Sequence, residues 1–110
     1  MSISYKIEVT GCDMTFILRF GPEYAVLEEF MAGDGTVFGD ELFGLLARMH
    51  EDGVPMSFSG NMGYAEMDAT ATEIGLLYDE TRAPVLIATE EFARLLHVLH
   101  RSGAVKEADT

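Results

Sequence analysis

Residues 72–99, TEIGLLYDETRAPVLIATEEFARLLHVL, contain two strand patterns followed by one helix pattern. Apolar side chains occupy alternate positions from 74 to 78, as in a strand with one buried face. Residues 79–82 are typical of a turn, and a compact apolar run follows at 85–88, where Pro84 is acceptable because proline is tolerated at a strand start. A connection of hairpin length predicts that the two strands are antiparallel.

The last part of this stretch is predicted to be an amphipathic helix that begins at Thr89. Thr89 suits the N-cap, and Glu90 and Glu91 suit the positive end of the helix dipole. Gly103 is predicted to end the helix, which leaves residues 104–110 as a loose C-terminal tail. The predicted core stripe has helical spacing and consists of Phe92, Leu95, Leu96 and Leu99.

The N-terminal half is predicted to contain a hairpin and then two helices. Apolar residues alternate along 3–9 and again along 14–20, which indicates two strands joined by a turn. A first helix is expected to begin at Pro22 and to end at residues 33–35, Gly-Asp-Gly. A second helix is expected to begin with Asp40 as its cap and to end at Gly53.

Residues 56–68 allow several strand registers, so the pattern leaves open whether they form a hairpin or a loop. No strand-helix-strand alternation recurs along the chain. The sequence therefore predicts an α+β fold, a mostly antiparallel sheet of four to five strands with about three helices packed on one face. Residues 1–110 are expected to form a single compact domain.

Negative charge is concentrated in the middle of the chain, whose formal net charge is −12. Thirteen carboxylates lie between Phe20 and Thr81, with Arg48 as the only cation among them. A surface of this sign repels nucleic-acid phosphates and anionic lipid, and it attracts basic partners. We therefore expect no direct nucleic-acid or membrane binding. The alternative is that the acidity serves only solubility.

Cys12 is the only cysteine, which excludes an internal disulfide and suits a reducing compartment. The sequence has no apolar run of about 20 residues that could span a bilayer, and its first residues do not resemble a signal peptide. The expected location is therefore the cytoplasm.

Candidate catalytic and metal-binding groups each have a simpler explanation. Cys12 sits beside Asp13, and a neighbouring carboxylate opposes formation of a reactive thiolate. His97 and His100 have the i, i+3 spacing of a shared metal site, but a solvated basic face near a helix C-terminus explains them as well. His50 lies beside Glu51 and Asp52, but no recognisable nucleophile accompanies it. Its position near a helix C-terminus explains the histidine without a catalytic role.

Two loops resemble ligand-binding loops only superficially. Residues 60–63, Gly-Asn-Met-Gly, match a phosphate-cradling pattern, but acidic residues follow them and no Lys or Arg is near. Residues 34–41 lack the alternating oxygen ligands of a calcium loop, since Phe38 stands where one is needed. The sequence thus predicts no metal site, no cofactor and no enzymatic activity.

The leading hypothesis is a small acidic binding protein that inhibits or neutralises a basic partner, for example a nuclease. An immunity protein paired with a cationic toxin fits this, and so does a phage protein that blocks a host defence nuclease by imitating nucleic-acid charge. A non-catalytic housekeeping or assembly subunit, binding through an apolar edge, is the alternative, and an enzyme of unrecognised type is a third. The predicted contact surface consists of Asp34, Asp40, Glu41, Glu51, Asp52, Glu66 and Asp68.

Overall fold

The computed structural model of the protein describes residues 3–10, 15–79 and 81–108. Its strands are β1 (Lys6–Thr10), β2 (Thr15–Arg19), β3 (Met56–Ser59), β4 (Gly63–Met67), β5 (Ala71–Leu76) and β6 (Val85–Ala88). Its helices are α1 (Ala25–Ala32), the single-turn α2 (Asp34–Val37), α3 (Gly39–Asp52) and α4 (Thr89–Ala108), with a 3₁₀ turn at Pro22–Tyr24. The α+β single domain is confirmed.

The main sheet is a four-stranded antiparallel meander with strand order β3-β4-β5-β6. Phe58 pairs with Ala65, and Ala65 pairs with Ile74, so these buried residues share one face of the sheet. Helices α1, α3 and α4 contact strands of this sheet. The question left open by the sequence is answered, because residues 56–67 form a β-hairpin.

The first two strands pair with each other but do not join the main sheet. Their antiparallel register runs from Lys6 opposite Arg19 to Thr10 opposite Thr15. Strand β2 contacts α1 and α4, so the hairpin lies against the helices. The predicted turn between the two strands, including Cys12, lies outside the described residues.

Aromatic rings join the helices to the main sheet at the centre of the core. The Phe30 ring of α1 meets Phe58 of β3 edge to face at 6.1 Å and lies 6.1 Å from Phe92 of α4. All three rings are buried. Such pairs contribute about 0.5–1.5 kcal/mol each beyond the burial of their area.

The amphipathic stripe of α4 is buried as predicted, but three boundaries differ from the sequence expectation. Residues 34–37 form α2 instead of a loop. Asp40 is not the cap of α3, which has Phe38 at its N-cap and no capping side chain. Helix α4 continues through Gly103 to Ala108, because one glycine lowers helix propensity by only about 1 kcal/mol and helix-compatible residues follow. Of the predicted tail, residues 104–108 are therefore helical.

Among the residues that the structure describes, no helix combines the length and the apolar character needed to cross a lipid bilayer.

Candidate functional site

Asp34 is buried, with 1% of its surface exposed, so the prediction that it lies on an acidic surface is wrong. Its carboxylate accepts hydrogen bonds from the backbone N–H groups of Asn61 (3.2 Å), Met62 (3.0 Å) and Gly63 (2.8 Å). Gly60 passes so close that a Cβ there would lie 2.5 Å from Asp34 Oδ2. Asp34 therefore holds the turn between β3 and β4.

These contacts also explain the loop 60–63 that resembles a phosphate-binding pattern. Three consecutive backbone N–H groups converge on one anionic group, as they would in a phosphate site. The anion is the protein's own carboxylate. The close approach of Asp34 accounts for Gly60, whereas a Cβ at Gly63 would lie 2.6 Å from the carbonyl oxygen of Gly75.

Exposed acids lie around the end of the molecule where α3 ends and β4 turns into β5. Glu51 and Asp52 form the last turn of α3 and lead directly into residues 53–55. Residues 53–55 and 68–71 line a shallow groove of about 410 Å³. Asp68 accepts hydrogen bonds from the backbone N–H groups of Ala71 and Thr70, both at 2.8 Å, and these bonds lower the pKa of its carboxyl group.

A second groove, of about 350 Å³, continues from this end onto the outer face of the main sheet, opposite the face that the helices cover. Glu66 of β4 lies directly opposite Glu73 of β5 in the strand register. Leu86 is the next residue in the same row, on β6, and is 70% exposed. Asp68 lines both grooves.

Tyr64 lies beside the second groove and binds one of its acids. Its hydroxyl donates a hydrogen bond to Glu73 Oε2 at 2.8 Å, and this bond raises the pKa of the phenol. The ring leans over Gly75, where a Cβ would approach it within 2.4 Å. A substituted residue 75 would displace Tyr64, so the glycine makes room for the ring.

We use the name acidic end for this group of side chains. It is made up of Glu66, Asp68 and Glu73, which line the second groove, together with Glu51 and Asp52 at the end of α3, which line neither groove. Four of these were predicted from the sequence, whereas Glu73 was not, because only the pairing of β4 with β5 brings it beside Glu66. Asp40 and Glu41 are exposed but lie at the opposite end of α3, about 18 Å from Asp52 at the helical rise per residue.

Four members of the acidic end carry a cost to the fold. Glu51 and Asp52 stand at the negative end of a helix dipole, where carboxylates are unfavourable. Glu66 and Glu73 are like charges directly across a strand pair, which is destabilising. In the described part of the chain, neither groove is lined by Lys or Arg.

Several acids elsewhere in the described part of the chain are balanced by a cation or by backbone N–H groups. Arg19 binds Glu8 and Glu28, Arg82 binds Glu29, and Arg94 binds Glu91. Hydrogen bonding to Arg19 lowers the pKa of Glu8. The described ion pairs thus lie outside the acidic end.

The three histidines have packing partners or lie on the surface. His100 is not on a solvated face, since its Nε2 lies 2.9 Å from the carbonyl oxygen of Gly35 and its ring is against Gly39. His97 is exposed, with its ring 4.8 Å from that of Phe43, and His50 is exposed near the end of α3. Within the described ranges, no three His, Cys, Asp or Glu residues are grouped as a metal site requires.

Comparison of the chain with protein-family models, with curated proteins and with solved structures finds no match.

Proposed function

We propose that this protein is a non-catalytic binding protein that neutralises a basic protein partner through its acidic end. The observation that carries the proposal is the direct opposition of Glu66 and Glu73 on the sheet face opposite the one that the described helices contact. Stability alone disfavours this arrangement, and residues that break a local rule of stability are commonly functional. A cationic partner would remove the repulsion on binding.

The surroundings of the acidic end suit the side chains of such a partner. Arg and Lys carry long apolar stems as well as a charge. Leu86 and Pro55 line the same groove as Glu66 and Glu73, so a stem and its charged head would both meet matching groups. Negative potential at this end would also raise the rate of encounter with a basic protein.

A nuclease, or another nucleic-acid-binding protein, is the class of partner that we propose. Such proteins already hold Lys and Arg in a cleft for phosphates. A carboxylate-bearing surface that occupies the cleft would block access of nucleic acid. Both an immunity protein and a charge-mimicking inhibitor would act in this way.

The experiment is capture of partners from the native host by the tagged protein and by charge variants. The double variant E51Q/E66Q removes two charges from the acidic end, and E8Q/E23Q removes two exposed charges elsewhere. We expect a basic protein to be captured, with affinity that falls steeply with salt. E51Q/E66Q should weaken this binding about tenfold or more, whereas E8Q/E23Q should change it by about twofold at most.

Thermal unfolding of the same variants separates lost binding from lost folding. E51Q/E66Q removes a charge from a repulsive strand pair and another from the negative end of a helix, so it should be at least as stable as the wild type. Capture of only acidic or neutral proteins, or full binding by E51Q/E66Q, would contradict the proposal.

A second candidate function is an assembly subunit that binds through an apolar patch. Met62, Leu77 and Tyr78 are exposed apolar residues at one end of β4 and β5, and Tyr78 is 82% exposed. The N–H of Leu77 donates to the carbonyl of Met62 at 2.8 Å, which holds the two segments together. This function predicts partner binding that is insensitive to salt and is lost in Tyr78→Ser.

A further inference from the structure

Helices α3 and α4 leave an apolar groove of about 510 Å³ between them. Phe43 meets His97 near one end of the groove, and His50 shares the other end with Thr89 and Glu90, so the helices run in opposite directions. The groove walls are largely aliphatic and aromatic, and they include Phe43, Leu46, Ala47, Met49 and Ala93.

The length of the groove suits a docked helix. From Phe43 to His50 it extends over eight residues of α3, or seven residue steps, which is about 10 Å or two helical turns. Ala47 and Ala93 line it with small side chains, which permits close approach of a backbone. Helices that dock in such grooves place apolar residues at i, i+3 or i+4, and i+7, a repeat that covers the same length.

Three carboxylates lie on the described faces of α3 and α4 beside this apolar surface. Asp40, Gly44, Ala47 and Glu51 recur at spacings of four, three and four residues, so they form one exposed row along α3. An acid stands at each end of the row, with small residues between. Glu90 of α4 lines the groove and adds a third carboxylate, and His50 and His97 line the groove as well.

The charge distinguishes between possible occupants. A second copy of this chain has a net charge of −12 and would bring the same carboxylates against themselves. A cationic helix would place Lys or Arg beside Asp40, Glu51 and Glu90 while its apolar side chains fill the groove. Charge complementarity therefore favours a basic helix over self-association.

We infer that the α3–α4 groove docks a positively charged amphipathic helix of the partner. This inference rests on the proposed function, because Glu51 belongs both to the acidic end and to the row that flanks the groove. The partner would thus be held by two adjoining contacts, with its helix in the groove and its remaining basic side chains at the acidic end.

The test uses two synthetic helical peptides of about 18 residues, a length at which a helix can form in water. Both carry the same apolar stripe, and their polar faces carry either Lys and Arg or Glu. The full chain is titrated with each peptide, as wild type, as Ala47→Trp to fill the groove, and as Ala32→Trp, a control on the exposed end of α1. Fluorescence anisotropy gives the affinity, and backbone amide NMR shifts locate the contact.

We expect the cationic peptide to bind and to shift the amides of Ala47, His50 and Ala93. Ala47→Trp should weaken its affinity about tenfold or more, while Ala32→Trp should leave it within about twofold. The acidic peptide should bind at least about tenfold more weakly than the cationic one.

Several results would overturn the inference: equal affinity for the two peptides, no binding of either, unchanged affinity in Ala47→Trp, or a wild-type dimer that this substitution dissociates. A different measurement, the affinity of the captured partner for E51Q/E66Q, tests the proposed function. If the captured basic partner loses affinity in E51Q/E66Q but not in Ala47→Trp, the acidic end is supported and the groove is not.

Discussion

Asp34 shows how one residue can decide a connection between distant parts of a chain. Its carboxylate is buried and receives three backbone N–H groups that lie 27 to 29 residues away. Charge-assisted hydrogen bonds of this kind are roughly twice as strong as neutral ones. Their loss would also leave donors unsatisfied, and Gly63 N–H is a buried one.

Replacing Asp34 by alanine should therefore lower the free energy of unfolding by about 3 kcal/mol or more. Asp34→Asn should cost less, because the amide oxygen can still accept a hydrogen bond. Urea denaturation measures both effects. Asp52→Ala is the control, since this exposed carboxylate should change stability by about 0.5 kcal/mol or less. Equal stability of Asp34→Ala and the wild type would show that the turn does not depend on the carboxylate.

Glu91 secures the N-terminal segment to α4. It accepts two hydrogen bonds from Arg94, at 2.9 and 2.8 Å, and one from the backbone N–H of Ile3 at 2.7 Å. The bonds from Arg94, and then that from Ile3, lower the pKa of Glu91 from 4.5 to about 2. Arg94 also donates to the carbonyl of Ile3 at 3.1 Å.

The depressed pKa of Glu91 gives a definite pH dependence. The stabilisation is complete above the ordinary pKa near 4.5 and is lost as the pH falls toward about 2. Glu91→Gln should lower stability at neutral pH by about 1–2 kcal/mol and flatten the decline between these values. Urea denaturation across this pH range measures it, with Glu90→Gln as the neighbouring control. A parallel decline in Glu91→Gln and the wild type would contradict the assignment.

At the scale of an element, α3 has a glycine in its interior and another at its C-cap, and replacement of each by alanine should have opposite effects. Gly44 is exposed in the middle of the helix, and a Cβ there would meet nothing within 4 Å. Gly53 follows the helix with φ of 67°, in the left-handed region that favours glycine. Alanine can thus be accommodated in the helix interior at Gly44, whereas at Gly53 it would strain the backbone.

Gly44→Ala should raise the free energy of unfolding by about 0.5–1 kcal/mol, because alanine has the higher helix propensity. Gly53→Ala should lower it by about 1 kcal/mol, because the left-handed conformation is costly for a residue with a Cβ. Thermal or urea unfolding of the two variants provides the comparison. A change in the free energy of unfolding that has the same sign in both variants would show that backbone conformation does not control stability at these positions.

For the whole molecule, the net charge of −12 should make stability depend on salt. Repulsion among like charges destabilises the compact state, and added salt screens it. The midpoint of thermal unfolding should therefore rise as NaCl increases from about 0.01 M to 0.15 M, over which the Debye length falls from about 30 to 8 Å. The rise should be smaller in E51Q/E66Q. An unfolding midpoint that falls with NaCl would show that favourable ion pairs outweigh the repulsion.

The sequence predicted the features that depend on neighbours along the chain. The α4 stripe, strand β6 and the ends of α1 and α3 follow from periodicity, proline and glycine, which act within a few residues. The predicted acidic surface was less successful. The sequence does not show which carboxylate has buried hydrogen-bond donors as partners. Asp34 could therefore not be distinguished from Asp40 or Glu66 before its backbone partners were known.

The amino-acid sequence by itself determined the α+β class, the antiparallel pairing and the confinement of negative charge to the middle of the chain. Only the tertiary structure decided that Glu66 faces Glu73, that Asp34 is enclosed by a turn, and that α3 and α4 leave a groove between them. The physical reason is that periodicity and turn propensity depend on residues close together in the sequence, whereas strand register and helix packing join residues far apart in the chain.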